Sequence, residues 1–547
     1  MHTNDVVLAV DLGTGGPKVA LVRTDGHVIA HELTTVETKL LPGGGATQDP
    51  DSWWDAIVTS TANLLDSNIV KREDVVGVTC TGQWGSTVAV DRHGHALGDC
   101  LLWMDTRGHP YSSRLMGGLG PIEIEGYGIT KVIRFIRKTA GAPALQGNDP
   151  LGQILYLKHE EPEIFNNAAY FLEPVDFLTM RFCGRTTATP ASMILSWIVD
   201  IRDLNSPRYA SDLVRITTRD PKHLPELVPT GSVVATITPE VAAATTLPQG
   251  IPVIAGLPDI LSAATGSGAL DDFQVHMAVS TTSWMSCHVP FKKTDPFRQI
   301  ATVPGVLPGR YALANNHDTA GVSLQWFRDS IFASGEEYNV GGAGGAGGAA
   351  GSPSDARTPS YSTLDQIAEH VPPGSDGVIF TPWLSGERCP VEDRTVRASF
   401  INLSLKTTRA EMTRALLEGV AYNARWMQDA VEHFLKRRVG PIRFIGGGAT
   451  SDIWCQIHAD VLDRRVERVR DPLLANLAGA GIYAGIALGL LDVAQAANAV
   501  SVEHVFEPDP ENRTTYDELY SHFKDVYKQQ KRMFKTLNRE RRPSSVR

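Results

Sequence analysis

The sequence predicts an α/β protein built from two similar halves. Three observations point there. Short β-rich runs lead each half and longer helical patterns follow them. At 547 residues the chain is long enough for two or more domains with substantial cores. Hydrophobic residues make up 42% and charged residues 20%, the balance of a globular chain and not of a disordered one.

Residues 6–10 form an apolar β-rich run, and 19–22 resume it after a glycine-rich turn. Asp25-Gly26 then turns the chain again, as in a meander. Residues 53–67 predict a helix capped by Asp51 or Ser52. Strands are predicted over 75–80 and 87–90, and the apolar run 251–255 reads as another, ending at Gly256. In the second half, strands are predicted over 275–279, 311–315 and 442–445, and a long amphipathic helix over 408–434. The tract 341–351, almost all glycine and alanine, lacks the apolar surface to offset its ordering entropy and reads as a flexible surface insertion. A phosphate-cradling loop is the sharper alternative, but no lysine or hydroxyl flanks the tract. The last twenty residues hold eight Lys or Arg and one acid, Glu540, as a basic helix end with a solvated tail would.

A net charge of -10 argues against a general polyanion binder, so nucleic acid is not an expected partner. The six cysteines are scattered without zinc spacing and read as buried thiols in a reducing compartment. No basic region precedes the first apolar run, and none of the apolar runs reaches the roughly 18 residues of a membrane span. A cytoplasmic location is expected, with no membrane partner.

Asp11-Leu12-Gly13-Thr14, with Lys18, sits in a strand-turn-strand frame. A carboxylate there can bind hydrated Mg2+, while the Gly13 backbone, the Thr14 hydroxyl and the Lys18 ammonium can surround phosphoryl oxygens. It is not the Walker pattern, which needs a helix after the loop. By themselves these residues also suit a plain hairpin with a surface lysine. Asp259 follows the apolar run 251–255, where a carboxylate would project into a crevice; a cap for the helix starting at Ile260 is the other reading.

Five stretches in order widen this picture: Thr79-Cys-Thr-Gly-Gln-Trp-Gly-Ser-Thr-Val-Ala-Val-Asp91, Leu102-Trp103-Met104-Asp105-Thr106-Arg107, Ala255-Gly256-Leu257-Pro258-Asp259, Pro382-Trp383-Leu384-Ser385-Gly386-Glu387-Arg388 and Gly446-Gly447-Gly448-Ala449. Together they resemble the FGGY carbohydrate kinases, with a pattern nearest the xylulokinase branch, over about residues 6–491. The resemblance implies two ribonuclease H-like, actin-like ATPase domains with a cleft between them. It places an N-terminal domain at 1–256, a C-terminal domain at 257–510 with a glycine-rich insertion at 341–360, and a helix with a basic tail at 511–547. It implies ATP-dependent phosphorylation of a sugar or polyol hydroxyl, ketopentose-like, with Asp259 as catalytic base and Asp11 as the Mg2+ partner.

For ATP, the resemblance sets Gly13, Thr14 and Lys18 opposite Thr281. It adds Gly321 and Gln325 at a helix start, the backbone of Gly446, Gly447 and Gly448, and Asp452 as an adenosine contact. For the sugar it points to Gln83, Trp84, Trp103, Asp105 and Arg107 beside Asp259. Trp103 also suits a core position, and Asp105 and Arg107 could pair across a turn. A small sugar or polyol is the expected partner and a homodimer the expected assembly.

The chain departs from the pattern at the sugar side. Trp84-Gly85 stands where xylulokinases carry Met-His, Ile260 where Asn or Gln usually follows the base, and Ser280-Thr281-Thr282 where Gly-Thr-Ser contacts phosphates. D-xylulose is therefore expected to be a poor substrate. Two other classes rank lower. An actin-like ATPase would lack the 103–107 and 383–388 stretches, and a degenerate kinase kept as a nucleotide- or sugar-binding regulator rests only on Ser280 and Ile260. Sugar-stimulated ATP turnover separates a kinase from both.

Overall fold

The computed structural model describes residues 5–117, 123–124, 126–332 and 359–538; the glycine-rich tract 341–351 and the basic tail beyond Asn538 lie outside the described residues. Two parallel-centred sheets organise the chain. In the first, β1 (Val6–Gly13) and β2 (Gly16–Arg23) pair as an antiparallel hairpin, and β3 (Val28–Leu33) extends it. β4 (Val75–Gly82) lies parallel to β1. β5 (Val233–Thr236) forms an antiparallel edge on β6 (Pro252–Pro258), which lies parallel to β4. The order is β5-β6-β4-β1-β2-β3. β1 is buried from Val6 to Leu12, as expected of a central strand covered on both faces.

The second sheet repeats the plan. β7 (Val275–Val279) and β8 (Ser283–Ser286) form the hairpin. β9 (Ile442–Ile445) and β10 (Val466–Val469) add in parallel, and β11 (Val502–Phe506) closes the edge antiparallel. The two similar halves read from the sequence are thus a repeat of topology: a hairpin, two parallel additions and an antiparallel edge.

The helices that frame the site are α1 (Pro50–Asp66), α2 (Pro174–Cys183), α3 (Asp259–Gly266), α4 (Gly321–Phe327), α5 (Arg409–Leu435), α6 (Asp452–Leu462), α7 (Ala475–Ala487) and α8 (Arg513–Leu537). The cap of α1 is Asp49, not Asp51 or Ser52; its carboxylate accepts the Asp51 N–H at 3.0 Å. Pro50 occupies the first helical position, where its missing N–H costs nothing, and so starts the helix three residues early. α5 begins at a capping box made by Thr408 and Glu411.

The halves exchange a helix each. Ala263 of α3, which follows a first-sheet strand, packs with Ala278, Ile445 and Val469 of the second sheet. Leu477 and Ala480 of α7, which follows the second sheet's β10, pack with Ala9, Ala20 and Val22 of the first. The two helices cross at Gly266 and Gly479, where a Cβ on either would strike the other helix's backbone. A boundary at 256/257 therefore cuts through a continuous strand, since Leu257 and Pro258 still pair with β4. The segment from 511 is likewise no appendage: Tyr516, Phe523 and Phe534 of α8 are buried in the core of the second half. All six cysteines are buried and free. Among the described residues no helix is long and apolar enough to cross a membrane.

Candidate catalytic cleft

Register fixes the centre of the site. Asp11 of β1 lies beside Thr81 of β4, and Gly82 lies between Leu12 and Pro258. Asp11, Gln83 and Asp259 thus emerge together at the carboxyl ends of three neighbouring parallel strands, where α/β sheets bind ligands. Asp259 is the first residue of α3; Pro258 holds the cap position, so the helix-cap reading does not hold. Its Oδ1 accepts the Ile260 N–H at 2.7 Å. Burial, with Asp11's negative charge second, pushes its carboxyl up to about 7. Asp11 is itself buried, which raises its carboxyl, while Lys18 Nζ at 3.6 Å and the Asn476 side chain of α7 oppose the rise.

Asp11 and Asp259 repel each other and only Asp11 has a lysine beside it, a charge pattern that suits a divalent cation. Among the described residues no group of three or more His, Cys, Asp or Glu forms a metal cage. These residues fit a cation that arrives with phosphate oxygens and takes one further contact from Asp11.

The residues expected to meet phosphate lie on two hairpin turns. At the first, Gln48, fully buried, donates to the Thr14 carbonyl at 2.6 Å and to the Thr38 hydroxyl at 2.9 Å, and accepts the Trp53 indole N–H at 3.1 Å. Sequence reasoning missed Gln48, which no motif marks. At the second, Thr281 is exposed and the Gly321 N–H donates to the Ser280 carbonyl at 2.7 Å. A Cβ at Gly321 would come within 2.5 Å of that carbonyl oxygen, and one at Gly446 within 2.6 Å of the Val279 oxygen and 2.7 Å of Ser280 Oγ. Only glycine lets α4, β7 and the end of β9 converge there. Gly447 is exposed and Gly448 buried against Val279 and Trp454. Gln325 is exposed one turn along α4. Asp452 opens α6 and pairs with Arg468, so its carboxylate is engaged by the protein itself.

The third wall is the turn after β4. The Gln83 N–H donates to Leu12 O at 2.8 Å, and its side-chain Oε1 is buried without a partner, an acceptor open to a ligand donor. Trp84 is anchored by its indole N–H to Ser192 O at 3.0 Å. Trp103 is part-exposed, not core: its N–H donates to Ser86 Oγ at 3.0 Å and its indole N–H to Thr14 Oγ1 at 3.2 Å, tying this wall to the first phosphate turn. Asp105 is fully enclosed, with both oxygens taken by Arg107 and the Ala46 N–H, and Arg107 continues to the Tyr156 hydroxyl at 2.9 Å. The pairing alternative is the one the geometry holds, and Asp105 acts as a brace, because no oxygen is left to meet a sugar. The Ile260 side chain is buried in the same apolar cluster that Trp84 packs against. Two further residues without a sequence signal, Gln153 and Glu173, clasp the turn from behind.

Comparison with known proteins covers both halves of the chain. The sequence models of the FGGY family of carbohydrate kinases match residues 6–266 with the N-terminal domain and 281–488 with the C-terminal domain. A xylulose kinase of Staphylococcus epidermidis is 27% identical over 547 residues, covering 97% of this chain and 98% of the relative. A gluconokinase of Bacillus licheniformis is 26% identical over 523 residues, 94% of each chain. The crystal structure of a gluconate kinase from Lactobacillus acidophilus superposes with a TM-score of 0.82 at 20% identity, over 97% of this chain and 99% of that one. That of a xylulose kinase from Rhodospirillum rubrum gives 0.79 at 24% identity, over 97% and 99%.

Proposed function

The chain belongs to the FGGY family of carbohydrate kinases, and on that premise we propose that it moves the γ-phosphoryl group of Mg-ATP to a hydroxyl of a small sugar or polyol, with Asp259 as general base. The observation that carries this reading is the Asp11–Asp259 pair at the ends of the two strands that flank β4, one carboxylate beside Lys18 and the other pushed up to about 7 by burial. A base near neutrality is ionised enough to accept a proton and basic enough to drive the transfer.

Bound Mg-ATP supplies the phosphoryl group and the countercharge for its oxygens. Thr14, Lys18, Thr281 and the backbone of Gly446 to Gly448 would hold it, Gly321 and Gln325 flanking, with Asp11 toward the metal. The acceptor hydroxyl oxygen forms the new bond to phosphorus as the bond to the β-phosphate oxygen breaks. ADP leaves with that electron pair, and the hydroxyl proton passes to Asp259.

The relatives' names span a ketopentose and a sugar acid, and an autoinducer-2 kinase of Enterobacter is also 27% identical over 535 residues. The wall residues argue for a substrate other than D-xylulose. Trp84 is a large anchored aromatic, and Gly85 has no side-chain donor. Gly85 also has a φ of 85°, so placing His there to recover a xylulokinase pattern would strain the turn. A panel of pentuloses, hexuloses, polyols, glycerol and gluconate, assayed with ATP and Mg2+, tests the proposal: sugar-stimulated ADP release supports it, and sugar-independent turnover or none contradicts it.

A further inference from the structure

We propose that Glu173 is the positioning residue of the sugar wall, a buried carboxyl that sets the turn 84–86 by holding two of its backbone N–H groups. The inference rests on reading residues 83–107 as the sugar side. Glu173 stands immediately before α2 and is 2% exposed. Its Oε2 accepts the Gly85 N–H at 3.0 Å and the Ser86 N–H at 3.1 Å, across 88 and 87 residues of chain. The turn needs such a hold, because Gly85 sits at positive φ and both amides are enclosed.

The carboxyl is costly where it lies. Its Oε1 is buried without a partner, and its other close charges, Asp176 and Asp149, have the same sign. Burial accordingly holds it well above the ordinary carboxylate range. Both hydrogen bonds of its side chain go to the turn.

The hold reaches further than two amides. Gln153 grips the other side of the same turn: its Nε2 donates to Gly85 O and Leu102 O, both at 2.9 Å, and its Oε1 accepts the Thr87 hydroxyl at 2.6 Å. Ser86 Oγ in turn receives the Trp103 N–H, and the Trp103 indole reaches Thr14. An apolar side chain at 173 would leave two buried donors unpaired and release Trp84, Ser86 and Trp103 together.

The test is paired, with Glu173→Leu and Glu173→Gln read by amide hydrogen exchange and by kinetics on whichever sugar of the panel is turned over. Glu173→Leu is expected to speed exchange in a peptide covering 83–87 by about 10-fold or more without changing β4, and to raise sugar KM by about 10-fold with Mg-ATP KM within about two-fold. Glu173→Gln, which keeps an acceptor, is expected to recover both readouts to within about three-fold. Unchanged exchange in the Leu variant, or faster exchange with unchanged sugar KM, overturns the proposal. If the Leu variant does not fold, the Gln variant decides alone, and a loss beyond about 10-fold in either readout overturns the acceptor role. If wild type turns over no sugar, the kinase reading fails, while the exchange comparison still decides the clamp.

Discussion

Asp259 lies beside a second buried carboxylate, and its chemistry has a pH signature. An acid raised from 3.8 to about 7 is protonated below that pH and unable to accept the sugar's proton. The value of kcat/KM is therefore expected to rise about tenfold per pH unit below 7 and level off above it, read from initial rates between pH 5.5 and 9. The same shift bears on stability. Between about 4 and 7 the unfolded chain gives up the Asp259 proton while the folded chain keeps it, so folded-state stability falls as pH rises through that window. Asp259→Asn should remove this penalty and stabilise the ligand-free protein at pH 8 by about 1 to 3 kcal/mol, measured by denaturant unfolding. Asp11→Ala should abolish turnover and weaken Mg-ATP binding by calorimetry without unfolding the protein; unchanged binding would move the nucleotide site elsewhere. The place of Asp259 after an apolar run and the pairing of Asp105 with Arg107 were legible, but the enclosure of Asp105 by the Ala46 N–H was not. That enclosure depends on a strand sixty residues away.

The elements themselves were largely legible where burial is symmetrical. β1, β4, β7 and β9 are short, mostly apolar runs rich in valine or isoleucine, and each forms where it reads. The start of α1 was not, because Pro50 extends the helix to an aspartate outside the apolar period. The exchange of α3 and α7 left no periodic mark either. Both carry small residues on the faces that meet, and alanine or glycine does not announce which sheet it will cover. Their crossing gives a sharp expectation: Gly479→Val forces a side chain into the Ser262 carbonyl and should lower Tm by about 5 °C or more in a thermal melt. A variant with wild-type Tm would mean that the helices part easily.

As a molecule, the chain places Asp259 and the turn 83–87 at the end of one sheet and the Thr281 and Gly446 turns at the end of the other, joined through the α3–α7 crossing. Phosphoryl transfer gains from excluding water, so the halves should close when both ligands bind. Small-angle scattering is expected to show a smaller radius of gyration with a substrate sugar plus a nonhydrolysable ATP analogue than without ligands, and an equal radius would count against a hinge. In the proposed reaction a sugar hydroxyl is deprotonated by Asp259 beside a separately held Mg-ATP. This step is tested most directly by measuring kcat and Mg-ATP affinity for Asp259→Asn on the best sugar of the panel. A loss of kcat of about 100-fold or more is expected, with Mg-ATP affinity nearly unchanged; activity within a few-fold of wild type would rule Asp259 out as the base.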